Sequence, residues 1–281
     1  MLEFLSILPD LGITEIRAII KIMADNTKVD LGQMSLVSLK YKIEKHMMHQ
    51  NIKLFEVFAQ RIIDSEEFRN ALLADIENPS TEMFRDPSLW RLLRDNILPK
   101  EIKPVAAATK IFFPNSVSGD ELHTLLILLN EKKWFPNFEI TVGYFNKNFK
   151  NNLAEIPYEI KKYELSEQNY MRYVGSSAFS DYFIFKDKQY YRNMDIFNNV
   201  RFVPQKFFIE EQNEKYNFIF FRNKCIYYNS PTKDSILKIL DAMLLKSGYL
   251  ILGTQENMDG FKLKENYLQL IKSESIYQKK V

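Results

Sequence analysis

At 281 residues, with 46% apolar and 26% charged side chains, the chain has enough material for one large or two modest domains around a sizeable core. A formal net charge of +2 argues against a nucleic-acid partner or a membrane surface drawn in by overall field, and leaves only local basic faces to consider. The lone Cys225 excludes an internal disulfide, no apolar run approaches the ~20 residues of a bilayer span, and the start of the chain lacks a signal-peptide pattern; the expectation is a cytoplasmic protein without membrane insertion.

From residue 1 to about 78 the apolar spacing is helical, through Ile16, Ile19, Ile20 and Met23, then Leu39, Ile43 and Met47, then Leu54, Val57, Phe58 and Ile62. Lys42, Lys45, His46 and His49 fall on neighbouring turns and give a mildly basic face, either solvated or a docking surface for an acidic partner. His46 and His49 have ligand-like spacing, but no Cys or acid beside them completes a metal set. The run Glu77-Asn78-Pro79-Ser80 marks a domain boundary, since Pro79 cannot continue a helix and Ser80 or Thr81 can cap the next one. An all-α domain over 1–78 and a second domain over 79–281 follow.

The second domain opens with Thr81-Glu82-Met83-Phe84-Arg85-Asp86-Pro87 and a helix from Ser88 to Asn96. Arg85 between Phe84 and Asp86 reads as a structural ion pair or a site residue. From Lys110 to Glu131, an apolar strand, a loop Pro114-Asn115-Ser116-Val117-Ser118-Gly119 and a helix opened by Asp120-Glu121 form the unit around which the domain is organised. A loop at the carboxyl end of a first strand, leading into free helix N–H groups, is either a plain connection or the place where an α/β sheet holds a small ligand. A second strand, Phe138 to Tyr144, and a helix through Phe149 and Leu153 continue a parallel sheet.

The stretch 158–199 breaks this rhythm. Leu165-Ser166 precedes a short helix, and the aromatic alternation from Tyr182 to Tyr191 reads as a hairpin turning at Lys186 to Lys188, a small antiparallel insert serving as a lid or offering an edge to a peptide. The sheet resumes at Val200 to Val203 and at Tyr216 to Phe221, a doubly buried strand. A helix from Ser230 to Leu244, closed by Gly248, a strand Tyr249 to Gly253 and a final strand Ser275 to Lys279 complete the α/β reading.

Four segments together resemble the CheR family of chemotaxis-receptor methyltransferases, over nearly the whole chain. Thr81 to Asp86 resembles its T-x-F-F-R-D segment, and Ser118-Gly119-Asp120-Glu121 its T-G-E-E turn. Phe221-Arg222-Asn223-Lys224-Cys225-Ile226-Tyr227-Tyr228 resembles its C-R-N-x-x-I-Y-F segment, and Leu245 to Gly253 its L-x-P-G-G-x-L-x-L-G close. The resemblance implies a Rossmann-like sheet with a β-subdomain insert behind a helical domain. It also implies methyl transfer from S-adenosyl-L-methionine to glutamate carboxylates of chemotaxis receptors, with S-adenosyl-L-homocysteine as product and no metal. By motif position, Arg85 and Tyr227 would be catalytic. Thr81, Arg85, Asn115, Gly119, Glu121, Tyr144, Lys206, Arg222 and Asn223 would line the cofactor, and Lys42, Lys45 and His46 would dock the receptor's acidic helices.

Three cofactor-facing positions depart from the pattern. The small residue after the first strand is Asn115 or Ser116, the ribose-binding acid at the end of the second strand is Tyr144, and the N-L pair after the next strand is Lys206-Phe207. Asn146 is the nearby candidate to reach the ribose instead. The alternative these departures support is a binding module that keeps the fold without cofactor or catalysis.

Overall fold

The computed structural model describes residues 9–77, 81–206, 209–211 and 213–281. Asn78, Pro79, Ser80 and Phe207, which the sequence reading used, lie outside them. The chain divides into two compact units, Met1–Asn78 with Lys224–Ile236, and Pro79–Asn223 with Leu237–Val281.

The first unit contains α1 (Ile13–Thr27), α2 (Leu36–His49), α3 (Phe55–Asp64) and α4 (Glu66–Glu77), each burying residues three or four apart: Ile16, Ile19 and Met23, then Leu39, Ile43 and Met47, then Phe58 and Ile62, then Leu72 and Ile76. The segment 224–236 joins them, with Tyr227 O accepting from Ser35 N at 2.8 Å and Asn229 Nδ2 donating to Gly32 O at 2.8 Å.

The basic face on α2 is corrected here. Leu39, Lys42, Ile43 and His46 follow the apolar i, i+3, i+4, i+7 stripe, so Lys42 and His46 turn inward at 8% and 1% exposure and only Lys45 and His49 face solvent. His46 Nδ1 lies 2.6 Å from Asp75 Oδ2, among the rings of Phe58 and Phe68. Lys42 Nζ donates to Ile76 O at 2.5 Å and sits 4.4 Å from the centre of the Tyr227 ring. Burial pushes Lys42 down to about 8 and Glu77 up to about 8.

In chain order, the rest of the fold comprises α5 (Pro87–Leu92), β1 (Thr109–Phe113), α6 (Asp120–Glu131), β2 (Phe138–Tyr144), α7 (Phe149–Glu155), α8 (Ile160–Tyr173), β3 (Phe183–Lys186), β4 (Gln189–Arg192), β5 (Val200–Pro204), β6 (Tyr216–Phe220), α9 (Ser230–Met243), β7 (Leu244–Ile251), β8 (Tyr267–Ile271) and β9 (Ile276–Lys279). α9 begins in the first unit and ends in the second. One sheet has the order β5-β2-β1-β6-β7-β9-β8, parallel from β5 to β7, with β9 antiparallel to both its neighbours. β3 and β4 form a separate hairpin, turning at Asp187 and Lys188 with φ of 52° and 61°. Phe220 anchors the core, stacked on Phe113 at 4.7 Å and on Trp90 at 5.9 Å.

Four expectations about elements change. α5 is α-helical only to Leu92 and continues as a π turn over Leu93–Ile97 rather than as one helix to Asn96. Leu165 and Ser166 lie inside α8, whose buried stripe of Tyr163, Ser166, Tyr170 and Tyr173 is aromatic and polar, which hid its helical period. The helix before Gly248 stops at Met243, and Gly248 lies within β7 because a Cβ there would meet Leu245 O at 2.8 Å and Asn217 O at 3.0 Å; the left-handed φ of 61° belongs to Ser247. β8 is an additional edge strand with Leu268 and Leu270 exposed.

Candidate functional site

The turn after β1 bends through Asn115 (φ 46°) and Gly119 (φ 72°), and Ser116 N donates to Gly143 O at 2.7 Å, tying β1's end to β2. Gly119 is required twice over, by its left-handed φ and because a Cβ would come within 2.4 Å of Leu153 Cδ2. Gly119→Ala is expected to cost more than about 1 kcal/mol in urea denaturation.

Asp120, the first residue of α6, is a buried hub. It has no exposed side-chain area and meets Lys162 Nζ at 2.6 Å and Arg192 Nη2 at 2.8 Å, while Thr81 Oγ1 donates to it at 2.7 Å. Burial pushes its carboxyl up, but the two cations outweigh that and hold it below the usual carboxylate range. Arg192 Nη2 also donates to Ser118 O at 3.0 Å, fastening the end of β4 to the loop. Neither Lys162 nor Arg192 has a local sequence signal; only the topology brings them here.

Beside this hub, Arg222 follows β6 with a fully buried guanidinium that donates to Glu121 Oε1 at 2.9 Å and to Asp86 Oδ2. Phe84 and Asp86 flank Arg85 with φ of 53° and 57°, conformations a bulky residue rarely takes, and Phe84 is held by its buried ring and by Thr124 Oγ1 accepting from its N–H at 2.9 Å. Arg85, 38% exposed, is presented from this arch with Glu82 Oε1 at 3.9 Å. Burial raises Glu82 despite Arg85. Asn223, also left-handed at φ 54°, gives its N–H to Glu256 Oε2 at 2.7 Å, and Gly253 N donates to the same oxygen at 2.8 Å.

The second unit therefore brings together Thr81, Arg85, Glu121, Arg222 and Asn223 at the carboxyl ends of β1 and β6, where strand order reverses. For other predicted positions the structure gives different contacts. Lys206 puts its ammonium on the surface, 77% exposed and 2.7 Å from Glu210. Tyr144 stacks on Phe149 with ring centroids 6.0 Å apart. Asn146 Oδ1 accepts from Asn148 N at 2.9 Å. Tyr227 belongs to the first unit, its ring against Lys42. Sequence reasoning missed Gln205, whose Oε1 accepts from Asn115 N at 2.8 Å and lies where a Cβ on Gly143 would be.

A nucleoside cofactor with an amino-acid tail fits these residues. Among the described residues, Gln205 Nε2 at the end of β5, and Asn223 Nδ2 and Arg222 Nε after β6, are buried donors without a hydrogen-bond partner, a costly state that a ligand rich in acceptor atoms relieves. No group of three His, Cys, Asp or Glu among the described residues is placed to hold a metal, and no helix there is long and apolar enough to cross a membrane.

Residues 79–274 match the family model described as CheR methyltransferase, SAM binding domain. Curated relatives include the methyltransferase Cher3 of Pseudomonas putida, 22% identical over 265 residues that cover 94% of this chain and 96% of the relative. A chemotaxis protein methyltransferase of Borreliella burgdorferi is 22% identical over 262 residues, covering 88% and 89%.

Proposed function

The chain belongs to the CheR methyltransferase family, and from that premise we propose that it methylates glutamate side chains of a chemotaxis receptor or related signalling protein. When bound, S-adenosylmethionine supplies a methyl group on a sulfonium, ready for attack. A glutamate carboxylate is ionised at neutral pH, so the chain needs no general base, only groups that strip water from the nucleophile and hold it in line.

The observation that carries this reading is the arch at Phe84 and Asp86, which presents the half-exposed Arg85 beside the buried Glu121–Arg222–Asp86 network. A fork of N–H donors suits a substrate carboxylate. In the same reading Glu121 faces the ammonium of the cofactor's amino-acid end, Asn223 Nδ2 donates a hydrogen bond to an acceptor atom of the cofactor, and Thr81 sets the loop. With Lys42 and His46 buried, a docking role on α2 falls to its exposed side, which carries Lys45 and Tyr41.

Calorimetry with S-adenosylhomocysteine and a methyl-transfer assay on receptor fragments test the proposal. Arg85→Ala is expected to lower methyl incorporation at least about 100-fold while leaving urea stability within ~1 kcal/mol of the parent, as suits a partly exposed side chain. Equal losses of stability and turnover for Arg85→Ala, or no ligand heat for the parent chain, would count against the reading.

A further inference from the structure

Gln205 lies over Gly143, next to Tyr144, the position of the missing acid. It leaves the end of β5, spans the end of β2 above Gly143, and reaches the turn after β1, where its Oε1 accepts from Asn115 N at 2.8 Å. Its own N–H donates to Tyr144 O at 2.7 Å, which fixes the backbone from which the side chain starts. Only the absence of a side chain at Gly143 lets the amide lie there, since a Cβ would fall 1.8 Å from Oε1. The other half of the amide, Nε2, is buried with no acceptor among the described residues. Leaving such a donor unpaired is unfavourable unless something else fills its need.

We infer that Gln205 takes over the adenosine half of the cofactor in this chain. In place of a carboxylate that accepts from ribose hydroxyls, the amide's free N–H, held in position by Asn115, donates to an acceptor atom of the nucleoside. The Tyr144 ring is stacked on Phe149, and Asn146 Oδ1 already accepts from Asn148 N. The inference rests on the cofactor reading above and adds a ligand group outside the four resembling segments.

The test is the affinity of the full-length protein for S-adenosylhomocysteine and for 5′-methylthioadenosine, which lacks the amino-acid end, measured by calorimetry alongside thermal unfolding without ligand. Gln205→Ala should weaken both about tenfold, the loss of one buried hydrogen bond. Gln205→Glu is the decisive variant. Its carboxylate keeps the acceptor for Asn115 N but has no hydrogen to give, so it should weaken both ligands about as much as Gln205→Ala while its unfolding midpoint stays closer to the parent's. A Gln205→Glu protein that binds as tightly as the parent would overturn the inference and leave the cofactor reading standing. So would losses seen with S-adenosylhomocysteine but not with 5′-methylthioadenosine. A parent chain that binds neither ligand overturns both.

Discussion

Asp120→Ala is expected to destabilise the protein by about 3–5 kcal/mol at neutral pH in urea denaturation, the cost of removing one partner from a buried ionic set. Arg192, 7% exposed, would lose its only described carboxylate and keep the Ser118 carbonyl and the face of the Tyr158 ring. Lys162, 26% exposed, can swing to water and should contribute less of the loss. Asp120→Asn, which retains an acceptor for Thr81 Oγ1 but not the charge, should recover part of it. The pH dependence distinguishes charge from packing. The two cations hold the folded carboxyl below the ordinary value of 3.8, so the stability it contributes is fully present above that value and is lost as pH falls through the folded one. The gap between parent and Asp120→Asn should therefore be flat near neutrality and close on the acid side. A gap that persists unchanged in strong acid would mean that shape, not charge, holds the loop.

The sheet was legible because its strands carry continuous apolar runs and its loops carry Gly, Pro and Asn: β2 runs over Phe138–Tyr144, as its composition predicts. Arg85, Glu121, Arg222 and Asn223 were legible only as motif positions, and the structure brings them to one end of the sheet by tertiary routes that no local pattern contains. Where residue type was read without face, the reading failed. Lys42 and His46 look like surface cations until their phase with Leu39 and Ile43 is counted, which puts them on the inward stripe of α2. Gly248 looked like a helix stop because glycine has two uses, left-handed φ and close approach, and only coordinates distinguish them. Gln205 carried no signal, since its role depends on the empty space over Gly143, more than sixty positions earlier in the chain.

Arg222→Ala should combine a large stability loss with a loss of ligand affinity, and the two effects should be separable. The guanidinium has no exposed area and spans two acids from separate elements, Glu121 of α6 and Asp86 at the start of α5. Without it, two carboxylates remain close together without their shared cation, so a cost of about 3–5 kcal/mol is expected. Arg222→Lys should recover only part, because one ammonium cannot reproduce a planar fork that sends separate N–H groups to separate partners. Removing the stranded charges as well, with Asp86→Asn and Glu121→Gln in the Arg222→Leu background, should restore much of the stability, since the three side chains act as one set and their costs are not additive. It should not restore binding of S-adenosylhomocysteine, which should remain about 10- to 100-fold weaker because the charged partner for the ligand's amino-acid end is gone. If the triple variant regained stability and full affinity together, the network would be scaffolding for the arch at Phe84 and Asp86, and the cofactor's tail would have to be held elsewhere.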